Sequence, residues 1–192
     1  APSYVTATGG CITTCGDYKI HTFLSPNTFV VTCGGNAAGS NTVDYFVVAG
    51  GGGASGDIGG GGGAGGFRLS NTTCMPAPQT SPLAAPNSPS PAAIPVTATP
   101  YPITVGGGGT GAPPGNSPST ASTPGCVSTF STITGAGGGG SSASAYCCAT
   151  GPDPGNGLPG GSGGGAKRAK GHTGGTGNDP VTSPVQGHSG GS

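Results

Sequence analysis

From Gly50 to Gly66 the chain reads GGGGASGDIGGGGGAGG, entered directly from Tyr45-Phe46-Val47-Val48-Ala49 and left through Phe67-Arg68-Leu69. Glycine gives up more conformational entropy on ordering than any other residue, and it has no side chain to bury in return. A chain that orders such a run must draw its cohesion from the backbone. Chains without side chains can lie side by side as three-residue-per-turn helices of the polyproline II type, rising ~3.1 Å per residue, close enough for N–H and C=O groups of neighbours to bond. A collagen triple helix is excluded, because glycine does not recur at every third position.

Composition closes off the alternative of an ordinary core. Of 192 residues, 45 are Gly and 20 are Pro, and only 26 are Leu, Ile, Val or Phe. That last group lies below the ~20% at which chains are read as disordered. Charge argues the other way: five acids (Asp17, Asp44, Asp57, Asp153, Asp179) balance five bases (Lys19, Arg68, Lys167, Arg168, Lys170), whereas disordered chains of low hydrophobicity are usually charge-rich. A balanced charge also gives no field to steer nucleic acid, so no nucleic-acid partner is expected. No apolar run approaches the ~18 residues of a membrane helix, and no membrane span is expected. The numbering opens on Ala1 without a basic and apolar leader, as expected of a chain whose signal or start has been removed.

The first 49 residues read as a small antiparallel sheet. Tyr18–Leu24, Thr28–Thr32 and Thr42–Ala49 carry the β-branched and aromatic residues of strands, the last most strongly, with turns at Ser25-Pro26-Asn27 and Gly34-Gly35-Asn36. Beyond them one unit recurs, a β-branched strand running into glycine. It appears at 42–66, at Tyr101–Val105 followed by Gly106–Gly109, and at Val127–Thr134 followed by GAGGGG from Gly135. Between the units lie Pro/Ser/Thr loops at 70–100 and 112–124, extended and poor in hydrogen bonds. The organisation is therefore a β-rich part at 1–49, strand and glycine repeats at 50–148, and a glycine-rich tail at 149–192 with almost no apolar residue, which only its neighbours can order. The fold class expected is mainly β and irregular, a small antiparallel sheet plus a polyglycine II-like layer, with essentially no α-helix.

Together YKIHTF at 18–23, YFVVAGGGG and GGGGAGGFR within 45–68, PITVGGGG at 102–109 and STFSTITGAGGGG at 128–140 resemble the glycine-rich domain of tailed-phage tail fibres and adhesins, over roughly residues 18–177. The resemblance implies a virion-attached or surface fibre. It also implies that the runs at 50–53, 59–63, 106–109 and 137–140 stack as a polyglycine II layer, with 70–100 and 112–124 as variable loops that contact a receptor. Seven cysteines are an addition to that pattern and suit a secreted, stapled subunit sharing the domain, so virion fibre and secreted filament both stand as destinations.

Cys11, Cys15, Cys33, Cys74, Cys126, Cys147 and Cys148 are candidate disulfide cysteines, the odd one free or bridging to a neighbouring subunit; small apolar filling is the other reading. Cys11, Cys15 and His21 lack the paired spacing of a zinc site, and no metal is expected. Strand-then-glycine spellings such as that at Gly50 need a following helix to hold a nucleotide, and the sequence offers none, so no cofactor is expected. His21, His172 and His188 have no carboxylate pair beside them, which leaves no catalytic residue to name; the chain is expected not to be an enzyme. Lys167-Arg168-Ala169-Lys170 reads as a solvated face, or else as a contact for an anionic glycan or nucleic acid, and Asn71-Thr72-Thr73 is a possible glycosylation site at Asn71. The function these features point to is a structural subunit of an extracellular or virion fibre. It self-assembles with copies of itself through glycine faces and strand edges, with a cell-surface glycan or receptor as a further partner. The alternative is a phage tail-fibre adhesin tip with 70–100 and 112–124 as its recognition surface.

Overall fold

The computed structural model describes residues 1–56, 59–70, 93–112, 122–141, 155–168 and 171–192. Within these there is no helix, and the strands are short and antiparallel. The chain forms two compact units: Ala1–Phe46, Leu69–Val105 and Thr129–Ile133 make the first, and Val47–Arg68, Gly106–Ser128 and Thr134–Ser192 the second.

The first unit is held by side chains. Strand β1 (Val5–Thr8) pairs with β4 (Asn27–Gly34), and β4 pairs in turn with β9 (Pro100–Thr104). Strands β10 (Ser128–Phe130) and β11 (Ile133–Gly135) complete a sheet of order β1-β4-β9-β10-β11. Alternation along β4 puts Phe29 and Val31 inward, 6% and 2% exposed. Phe29 is the centre of an aromatic cluster, with its ring 5.0 Å from His21, 5.9 Å from Phe130 and 6.4 Å from both Phe23 and Tyr101. Three of these contacts are edge-to-face, the arrangement the ring quadrupole favours. A bulge between Thr6 and Ala7 shifts the β1–β4 register, and the Thr32 hydroxyl at that point donates to the carbonyl of Thr6.

Strands β2 (Cys11–Cys15) and β3 (Tyr18–Thr22) form a separate hairpin closed at Gly16-Asp17, where Gly16 has a φ of 57°. β5 (Thr42–Val43) pairs with β8 (Ile94–Pro95). Two expected strands are divided. Thr42–Ala49 becomes β5 and β6 (Phe46–Val48), because a polar knot takes the backbone between them: Ser70 Oγ donates to Asp44 Oδ1 at 2.7 Å and accepts the Tyr45 N–H at 2.8 Å. The Ser70 N–H then closes onto the Tyr45 carbonyl. Val127–Thr134 is a hairpin, β10 and β11, turning at Ser131 with a φ of 53°. Strand β7 (Phe67–Leu69) neighbours β6.

Removal of the central ring of this unit is expected to be costly. Phe29→Ala should lower the unfolding free energy by about 3–5 kcal/mol, read from denaturant midpoints at constant slope.

Candidate functional site

In the second unit the backbone takes the place of a side-chain core. Among its described residues other than glycine, those buried are Val47, Ala49 and Ala136 together with Ser122, Ser128, Ser141 and Gln186. The bonds between segments recur every third residue. Ala49, Gly52 and Ser55 donate to Gly66, Gly63 and Gly60, so 49–55 and 60–66 run antiparallel. Gly50 and Gly53 donate in a different direction, to Cys126 and Thr123, and the carbonyls of Gly51 and Ala54 accept from Gly109 and Ala112. A β-strand would send alternate residues to the same side; a repeat of three, each class facing a different neighbour, is that of a threefold polyglycine II helix.

Segment 135–141 is the most enclosed, with every residue buried except Gly137. Its carbonyls at 136 and 139 accept from Gly66 and Gly63, those at 137 and 140 from Gly161 and Leu158, and that of Gly138 from Gly125. Its N–H groups at 138 and 141 donate to Gly50 and Gly53, and that of Gly139 donates to Ser162. Such approach needs glycine: a Cβ on Gly137, Gly138 or Gly139 would fall on the carbonyl of Gly125, Gly63 or Leu158, far inside van der Waals contact. Glycine is used here for the space it leaves.

Side chains finish the bundle where glycine stops. Gln186, 2% exposed, accepts the Ala136 N–H at its Oε1 and donates from Nε2 to the carbonyl of Pro180, both at 2.8 Å. The Ser122 hydroxyl donates to the carbonyl of Ser141 at 2.9 Å. The glycine-rich stretch from 155 onward belongs to this same array. Ser162 and Gly165 donate to Ala64 and Gly61, Gly157 and Gly160 to Thr173 and Thr176, and Gly163 and Ala166 to His188 and Gly191. Nothing apolar announced its place, since it is ordered by backbone bonds. An open cleft of about 540 Å³ lies along Gly59–Gly62, Gly163, Gly165–Arg168 and Gly190–Ser192 in this unit.

The runs at 50–53, 59–63, 106–109 and 137–140 thus all lie in one hydrogen-bonded layer. The loops at 70–100 and 112–124 fall mostly outside the described residues, as do Cys74, Cys147, Cys148 and Asn71. Cys11, Cys15, Cys33 and Cys126 are exposed free thiols, so no disulfide joins any two of them. Cys11 and Cys15 share one face of β2, four residues and about 13 Å apart, beyond the ~7 Å Cα limit of a disulfide. His21, paired with Ile12 in the hairpin register, belongs to the opposite face; its Nδ1 lies 2.8 Å from the carbonyl of Gly9 and its ring packs edge-on against Phe29. Lys167 is half-buried and Arg168 exposed at the cleft, whereas Lys170 lies outside the described residues.

Cys33 has a feature its sequence did not signal. The Gly35 backbone N–H and then the Ser3 hydroxyl, 3.7 Å from the sulfur, stabilise its thiolate and hold its pKa below that of an ordinary thiol.

Described residues that hold strands and no helix, with a second unit built as a backbone-bonded glycine bundle, define the class of glycine-rich domain. The chain belongs to the glycine-rich domain family, which it matches over residues 24–192. Comparison with curated proteins and with solved structures gives no match.

Steric demand separates the glycines. Gly139→Ala should destabilise the protein by about 1–3 kcal/mol through overpacking, while Gly107→Ala, with open space at its Cβ, should stabilise it by about 0.4–1 kcal/mol; thermal melts compare the two. For Cys33, the pH midpoint of alkylation should lie below that of a free thiol, and Ser3→Ala should raise it, as followed by mass spectrometry of the modified peptide.

Proposed function

We propose that this protein is a non-enzymatic structural subunit of an extracellular or virion fibre, assembling with copies of itself through glycine faces and strand edges. The observation that carries the reading is the threefold hydrogen-bonded bundle. Each segment can bond several neighbours at once, so a bundle segment at the surface retains donors and acceptors for another chain. The tail-fibre resemblance and the glycine-rich family support the same reading. A rigid layer bonded through its backbone suits mechanical display. The four exposed thiols add a covalent route between subunits, the sulfur of one copy reaching that of the next in an oxidising compartment.

A second reading, an adhesin tip, is favoured by where its loops emerge. The two described ends of the 112–124 stretch, Ala112 and Ser122, are both held in the glycine bundle: the Ala112 N–H bonds the Ala54 carbonyl, and Ser122 is 3% exposed. In that reading the bundle displays 70–100 and 112–124 to a cell-surface glycan or receptor.

Negative-stain imaging of the purified chain, with gels run reducing and non-reducing, tests the fibre reading. Filaments that lengthen with protein concentration are the expected result. A monomer at every concentration, with no interchain disulfide, excludes it and leaves the adhesin tip.

A further inference from the structure

At some positions glycine leaves room that the subunit itself does not fill. An added Cβ meets nothing within 4 Å at Gly16, Gly61, Gly107, Gly171 and Gly191. Gly16 and Gly171 have φ of 57° and 96°, left-handed values that call for glycine whatever the space. Gly61, Gly107 and Gly191 have no such constraint. Each costs stability relative to alanine through the freedom of the unfolded chain, with no compensating contact inside the subunit.

Their positions fall into two groups. Gly107 lies on segment 106–112, which is bonded on one side only, to 49–55 and to 122–128. Gly107, Gly108, Thr110 and Gly111 are exposed. Among the described residues, the N–H groups of Gly107, Gly108 and Gly111 and the carbonyls of Gly108 and Gly111 have no partner. This is an open edge of the array, the threefold counterpart of an unpaired edge strand. Gly61 and Gly191 line the 540 Å³ cleft, whose walls are mostly glycine, from 59–62 and 190–191 with Gly163 and Gly165, joined by Ala166, Lys167, Arg168 and Ser192. The cleft is a gap in the array, bordered by glycine segments. Edge and cleft are separate surfaces of the bonding network: 106–112 shares no bond with 59–66, 161–168 or 186–192.

We propose that segment 106–112 of one copy seats in the glycine-lined cleft of the next, extending the three-residue hydrogen-bonded array from subunit to subunit. The proposal rests on the self-assembling reading and names the surfaces that perform it. The occupant is a second copy because the cleft is bordered mainly by glycine segments of the array and the edge offers unpaired backbone at the same three-residue repeat. Their difference also fixes the type of contact. Two unlike surfaces meet head to tail, and a contact of that kind repeats without closing unless its rotation forms a ring.

Full-length Gly107→Phe and Gly61→Phe test it. Both should keep the wild-type melting temperature, because an added Cβ meets no atom within 4 Å at either site. Each alone should raise the concentration needed for assembly by about tenfold or more, measured by sedimentation velocity. Mixed in equal amounts, they should give discrete dimers: the intact cleft of the Gly107 variant receives the intact edge of the Gly61 variant, and no open surface is left. Gly191→Phe should reproduce the Gly61 result from a different segment, and the corresponding Thr variants replace any Phe variant that melts early. If single variants assemble at the wild-type concentration, or the mixture forms no dimer, the edge-to-cleft contact is overturned while assembly through other surfaces stands. A wild-type chain that never assembles overturns both.

Discussion

Everything in the second unit depends on how closely two backbones can approach when no Cβ lies between them. Around segment 135–141 the carbonyls of neighbouring chains occupy the places where side chains would start. That approach brings N–H and C=O groups of four surrounding stretches within bonding distance of one segment. A buried backbone group without a partner costs about 1–3 kcal/mol, so the density of satisfied bonds is what permits a buried region with so few apolar atoms. Elsewhere a protein excludes water with methyl and methylene groups. Here the peptide units exclude it themselves.

The first unit keeps the other strategy. Its sheet closes over Phe29, Val31 and Phe130, with aromatic rings meeting edge to face. The same chain therefore supports two solutions to burial, and the difference between them is set by local composition. Where Phe, Val and Tyr alternate, side-chain packing holds the strands. Where they give out, glycine permits a lattice of backbone bonds.

Strands β3, β4 and β9 were legible because alternating β-branched and aromatic residues leave little choice of face. The layer was legible too, in the repeated passage of a strand into glycine. The break within Thr42–Ala49 was not, because it is made by Ser70, which is distant in sequence and captures Asp44 and the backbone of Tyr45. The turn inside Val127–Thr134 was hidden for another reason: Ser131 adopts a left-handed φ without being glycine or asparagine. Residues 155–192 gave the least away. Their partners, such as Ala64 for Ser162, are chosen by backbone position, and a glycine carries no mark of which chain it will face. The state of the cysteines was equally unmarked, since spacing alone does not say which sulfurs meet.

A lattice of identical residues has no inherent alignment. Sliding one glycine run along another by one full turn would superimpose glycine on glycine and restore each bond, so the runs cannot fix their own register. That task falls to the few residues that are not glycine. Gln186 grips the Ala136 N–H and the Pro180 carbonyl, and Ser122 reaches the carbonyl of Ser141. These side chains act as indexing pins in a mechanism whose teeth are all alike, and their sparse placement at the ends of the runs is what gives a repetitive sequence a single address for every residue.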